Sequence, residues 1–215
     1  MKVKNFGQVF TSICIVRDVL NAAGYVGEAI LNKHVIDNSC GDGAFLIEII
    51  NRYIDIYEKK YGSLKGVEKE LQFYIHGIEI DREIWNVCLE NLDKLVVSRG
   101  LKKVNFDILN EDSLKVEKYD KMMDFVLGNP PYVRVHNLNK QYNILKKYSF
   151  CGSGMTDLYI AFYEVGLRML SEKGILCYIS SNSFYNSLAG RKLREYTKGN
   201  QAMELICLLY TSLSP

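Results

Sequence analysis

The sequence predicts an α/β fold built on a mainly parallel sheet. Three observations carry this. Short apolar runs with strand character recur along the chain, and stretches with helical apolar spacing separate them, which is the pattern of βαβ units. The 215 residues are 48% apolar and 24% charged, a globular mix that excludes disorder and low-complexity fibres. A chain of this length buries roughly 70% of its unfolded surface, enough for a core without covalent staples.

The elements follow in order. Residues 12–24 set Ile13, Val16, Val19 and Leu20 on one helical face. His34–Asp37 is a short apolar strand, closed by Ser39-Cys40-Gly41-Asp42-Gly43. Phe45, Leu46, Ile49, Ile50, Tyr53, Ile54 and Tyr57 make the broad face of the next helix, which Gly62 ends. The charged residues 64–70 predict a short exposed helix, and Phe73–Ile80 the second strand. Asp81 caps a helix whose stripe is Ile84, Val87, Cys88, Leu92 and Leu95, ending at Gly100. Val104–Leu109 and Phe125–Leu127 are strands three and four. An amphipathic helix over 157–170, a fifth strand at Ile175–Ile179, a basic helix over 188–198 and a sixth strand at Met203–Leu209 complete the pattern. No internal repeat is present.

Charge narrows the function classes. Lys+Arg number 27 against 25 Asp+Glu, a net +2, so any affinity for nucleic acid must come from a local patch. No apolar run reaches the length of a membrane span, and MKVKNFGQVF has no secretory h-region. No membrane partner is expected. The six cysteines form no CxxC and several fall in apolar patterns, so they read as reduced core thiols of a cytoplasmic protein. The three histidines are scattered, and no metal site is expected.

Three motifs carry chemistry. Asp37-Asn38-Ser39-Cys40-Gly41-Asp42-Gly43-Ala44-Phe45 sits at a strand-to-helix turn, where glycines admit a close backbone approach and a helix N-terminus offers free N–H groups. Leu46 stands where a dinucleotide fingerprint needs glycine, which argues against NAD or FAD. Alone, the turn reads better as structural than as a binding site. Glu79 ends the second strand, 42 residues after Asp37, where a carboxylate can accept from both ribose hydroxyls. Its alternative is a solvated helix-capping acid. Asn129-Pro130-Pro131-Tyr132 follows strand four. The proline pair stiffens the chain and holds an amide and carbonyls at the C-terminal edge of the sheet, where ligands bind in open α/β folds. A planar amine such as adenine N6 has two N–H donors, which the Asn129 side-chain oxygen and the Pro130 carbonyl can accept. Tyr132 offers a face on which an extruded base can stack.

With these motifs in this order, residues 5–206 resemble S-adenosylmethionine-dependent N6-adenine DNA methyltransferases, in the gamma-ordered class of restriction-modification systems. Phe6-Gly7-Gln8-Val9-Phe10-Thr11, Asn110-Glu111-Asp112-Ser113-Leu114, Asp157–Phe162 and Gly174–Asn182 resemble further motifs of the class. Ser12 and Asn38 stand where that family usually has proline. The resemblance implies a three-layer α/β sandwich of the Rossmann-like class I methyltransferase type and S-adenosyl-L-methionine as cofactor. It also implies methyl transfer to adenine N6 of a base flipped out of double-stranded DNA. It assigns cofactor contacts to Thr11, Asp37, Cys40, Gly41, Gly43, Glu79, Ile80, Asp112 and Asn129, with Asp107 competing with Asp112 for the cofactor adenine. It assigns catalysis to Asn129, Pro130, Pro131 and Tyr132. A cognate restriction endonuclease or specificity subunit is a further implied partner. A protein glutamine methyltransferase can use the same Asn-Pro-Pro-Tyr, and a non-catalytic cofactor-binding fragment is the other alternative.

Between the catalytic motif and the Asp157 helix, Arg134, His136, Lys140, Lys146 and Lys147 alternate with Tyr142 and Tyr148. This mixture suits a DNA backbone and displaced bases, and equally an exposed amphipathic helix. The residues from Cys207 onward read as a non-native tail, with a genuine short C-terminus as the alternative. Residues 1–206 are therefore expected to be a methyltransferase catalytic domain incomplete at its C-terminal end. A target-recognition domain is expected to be absent from these residues, and the chain as it stands is expected not to methylate a defined DNA site.

Overall fold

The structure is a computed structural model that describes residues 11–133, 140–151, 157–180 and 190–199. The phenylalanine-rich start of the chain, Arg134 and the expected sixth strand lie outside the described residues. Five strands form one sheet: β1 (Val35–Asp37), β2 (Ile75–Ile78), β3 (Asp107–Leu109), β4 (Met123–Gly128) and β5 (Leu170–Tyr178). Their order is β3-β2-β1-β4-β5, and all four pairings are parallel. Residues of β1 and β2 are buried throughout, as expected for strands covered on both faces.

Helices cover both faces, which makes three layers. On one side α1 (Ile13–Ala22), α2 (Ala44–Tyr61), α3 (Val67–Tyr74) and α4 (Arg82–Ser98) pack on Val35, Ile75, Phe125 and Leu127. On the other, α5 (Leu158–Met169), the 3₁₀ turns at Lys140–Lys147 and Ser149–Cys151, and Leu193 of α6 (Arg191–Gly199) pack on Ile36, Ile78, Val126 and Leu176. Strand order reverses between β1 and β4, which opens a crevice at their C-terminal ends.

Several boundaries differ from expectation. Phe73 and Tyr74 end α3 rather than starting a strand. Gly66, at φ 94°, starts that helix late, and Val67 and Leu71 turn inward to give it a buried side. Phe73 is left 61% exposed, its ring 5.2 Å from that of His34. Strand β3 begins at Asp107 and not at Val104, and β5 starts at Leu170, directly after α5. In α4 the buried line is Cys88, Leu92 and Val96, so Val87 falls outside it. Cysteines 40, 88, 151 and 177 are buried, while Cys14 is exposed. No helix among the described residues is long and apolar enough to cross a membrane.

Candidate active site

The crevice holds a cavity of about 280 Å³. Its floor is the turn from β1 into α2. Asp37, the last residue of β1, is 2% exposed, and its Oδ1 accepts from the Ser39 N–H at 3.0 Å. Burial pushes this carboxyl up to about 7; the Ser39 hydrogen bond pulls it down and the Glu79 charge adds to the rise. Gly128 of β4 leaves it room, since a Cβ there would lie 2.6 Å from Asp37 Oδ1. The turn is pinned by the Cys40 N–H on the Ile78 carbonyl at 3.0 Å, and by Asn91 Nδ2 on the Asp42 carbonyl at 2.9 Å.

Glu79 makes the second wall. It is 7% exposed and therefore not a solvated cap; Asp81 caps α4, accepting from the Glu83 and Ile84 N–H groups. Glu79 Oε2 accepts from the Gly41 N–H at 3.0 Å and Oε1 from the Asp81 N–H at 2.8 Å. Burial raises its pKa, partly offset by these hydrogen bonds. Asn110, whose role is not evident from the sequence, donates to the carbonyls of Glu79 and Ile80 at 2.9 and 3.2 Å and fixes that corner.

The third wall is Asn129-Pro130-Pro131-Tyr132, carried directly by the end of β4. Asn129 Nδ2 donates to Thr11 Oγ1 at 3.1 Å. Asn129 Oδ1 is buried with no hydrogen-bond partner among the described residues. The Tyr132 hydroxyl donates to the Ile179 carbonyl at 2.7 Å, and its ring lies 5.8 Å from that of Tyr159.

The cavity thus gathers Thr11, Asp37, Cys40, Gly41, Glu79, Ile80, Asp112, Asn129, Pro130, Pro131 and Tyr132. Gly43 is not on its wall. At φ 93° it caps α2, and its missing side chain admits Cys88 Sγ, which a Cβ would meet at 3.0 Å. Asp107 is not on the wall either. It receives Lys118 Nζ at 2.7 Å and lies 3.0 Å from His76 Nδ1. Burial works to raise Asp107, but Lys118 and His76 outweigh it and hold its pKa low. For His76 it is burial that dominates and lowers the pKa to about 4, against the pull of Asp107. Asp112 takes the cavity position instead.

The apolar wall of Phe45, Ile84, Val87, Leu158 and Phe162 is not evident from the sequence, where Val87 belongs to a core stripe. Lys146 and Lys147 are exposed, and the side chain of Lys140 lies outside the described residues. Tyr148 offers no stacking face: it is buried, and its hydroxyl donates to the Leu114 carbonyl at 2.6 Å. Leu145 and Tyr148 are thus buried anchors with the exposed Lys146 and Lys147 between them.

Comparison with known proteins agrees with this geometry. Residues 45–211 match the Eco57I restriction-modification methylase family. The chain belongs to that family. Among curated relatives, Type II methyltransferase M.BstVI of Geobacillus stearothermophilus is 30% identical over 95% of this chain and 38% of its own length. Type II methyltransferase M.XhoI of Xanthomonas vasicola is 30% identical over 87% of this chain and 36% of its own. The chain thus spans little more than a third of these two methylases. The fold is shared with the Type ISP restriction-modification enzyme LlaGI, solved with a DNA substrate mimic. The TM-score is 0.68 at 19% identity, covering 87% of this chain and 19% of that one.

Proposed function

We propose that this chain is the catalytic part of a DNA adenine N6-methyltransferase that uses S-adenosyl-L-methionine. The observation that carries the reading is Asn129 Oδ1, a buried acceptor on the cavity wall with no partner among the described residues. A buried polar atom is retained without a partner only at a cost, which a donor on a bound ligand relieves.

The donor set fits the cofactor. Two buried carboxylates, Asp37 and Glu79, make a cavity that favours a cation. Glu79 keeps acceptor capacity beyond its two backbone bonds, which suits ribose hydroxyls. Ile80, Ile84 and Val87 supply an apolar face for a purine, with Asp112 at its edge to accept from an amino group. When bound, S-adenosylmethionine supplies an electrophilic methyl group.

The chain's own residues then do the rest. Asn129 Oδ1 and the Pro130 carbonyl accept the two hydrogens of adenine N6, which turns the nitrogen lone pair out of ring conjugation. Thr11 Oγ1 holds the Asn129 amide through its Nδ2. Tyr132, tied to Ile179, presents its ring to the base, and Leu158 and Phe162 exclude water. The target base leaves the duplex to reach this site, and the exposed Lys146 and Lys147 are offered to its phosphates. A cognate endonuclease or specificity subunit fits the family's restriction-modification role.

The test is to incubate the protein with labelled S-adenosylmethionine and an oligonucleotide bearing an unpaired adenine, the substrate that needs least extrusion energy. Hydrolysis to nucleosides should put the label in N6-methyladenine. Label on cytosine, or on the glutamine of a protein acceptor and not on DNA, would overturn the reading.

A further inference from the structure

We propose that Tyr178 is a positioning residue for the cofactor turn: its phenol reaches from β5 to Asn38 and locks the segment Asp37–Gly43 in its binding shape. The inference rests on the cofactor reading above and adds to it a residue outside the cavity wall. Asn38 lines the cavity, yet it is fully buried. It directly follows Asp37, so whatever moves Asn38 moves the carboxylate and the N–H groups behind it.

Three contacts hold Asn38, each from a different part of the chain. The Tyr178 hydroxyl donates to Asn38 Oδ1 at 2.8 Å. Asn38 Nδ2 faces the Met169 sulfur of α5 at 4.0 Å, a weak acceptor. Ser113 Oγ donates to the Asn38 carbonyl at 2.5 Å, which links the turn to the segment carrying Asp112. A phenol has one proton, and the Phe162 carbonyl lies farther off at 3.5 Å, so Asn38 is the acceptor that counts.

The surroundings are shaped for this phenol. Tyr178 is 2% exposed and packs edge-on against Tyr163 at 5.3 Å. Gly166 of α5 has no side chain where one would collide: a Cβ there would lie 2.8 Å from the Tyr178 hydroxyl. Without the hydroxyl, Asn38 Oδ1 loses its hydrogen bond to Tyr178 and is left a buried acceptor. Its side chain then turns to find a donor, and the turn follows.

The experiment compares wild type, Tyr178→Phe and Asn38→Ala, which remove the same bond from either end. Titration with S-adenosylmethionine, well below the melting temperature, should show Tyr178→Phe weakening binding about fivefold to tenfold. Adding Tyr178→Phe to Asn38→Ala should weaken binding no further. Hydrogen exchange on the ligand-free protein should quicken at the amides of 39–44 in both single variants, while β1 and β4 stay protected. A lower melting temperature with unchanged affinity and unchanged exchange at 39–44 would overturn the inference and leave Tyr178 a packing residue. If wild type does not bind S-adenosylmethionine but exchange at 39–44 still quickens in the variants, the lock stands and the cofactor reading falls.

Discussion

Asp37 should make cofactor affinity depend on pH across neutrality. Its carboxyl is buried, held up near 7 mainly by loss of solvent, and faces a site proposed to take a cation. Only the ionised form attracts that cation. With an apparent pKa of about 7, the ionised fraction is about 9% at pH 6 and about 91% at pH 8. The apparent Kd for S-adenosylmethionine should therefore fall about tenfold over that interval. Calorimetry in two buffers of different ionisation enthalpy should also detect proton release on binding at pH 6. Stability runs the other way. The folded pKa exceeds the ordinary value of 3.8, so the folded state holds the proton more tightly. The resulting penalty is absent below about pH 4, grows through the window up to 7 and is complete above it. Between pH 5.5 and 8, wild type should lose about 2 kcal/mol relative to Asp37→Asn, an uncharged near-isostere. A flat affinity profile with no proton release would show that Asp37 is already ionised in the free protein, or does not meet the cofactor.

Three further outcomes follow. Glu79→Ala should weaken cofactor binding by about 1.5–3 kcal/mol, the worth of hydrogen bonds to a charged acceptor, and wild-type-like affinity in a folded variant would remove Glu79 from the site. Gly128→Ala drives a methyl to 2.6 Å from Asp37 Oδ1; it should cost about 1–3 kcal/mol of stability by overpacking and weaken cofactor binding, which a thermal melt and a titration together check. Replacing Lys146 and Lys147 by alanine should lower the slope of log DNA affinity against log salt by about one per lysine that contacts a phosphate; an unchanged slope would take both off the DNA.

What the sequence makes legible here is local. The strand-to-helix turn at Asp37–Gly43 and the Asn129–Tyr132 loop are contiguous motifs, and the strands before them are continuous apolar runs, so their place at the sheet's C-terminal edge follows. Helix rotation is less legible. Val87 and Cys88 are neighbours in one apolar stripe, yet a difference of about 100° around the helix puts Cys88 in the core and Val87 on the cavity wall. Charge alternation likewise suggests an exposed Tyr148, whose ring the fold instead buries with its hydroxyl on the Leu114 carbonyl. Least legible are pairs joined only by the fold. Asn38 and Tyr178 are 140 residues apart, and nothing in either local sequence marks them as partners.

The most direct measurement of the central claim is methyl transfer by Asn129→Ala in a single turnover with saturating S-adenosylmethionine. Asn129 Oδ1, which has no hydrogen-bond partner among the described residues, is the acceptor on which the proposed chemistry turns, while Asp37 and Glu79, the proposed carboxylate partners of the cofactor, lie at the ends of β1 and β2. Transfer to adenine should fall below detection while cofactor affinity stays within about threefold of wild type, less than one lost hydrogen bond. A near-normal single-turnover rate in the folded variant would contradict the account.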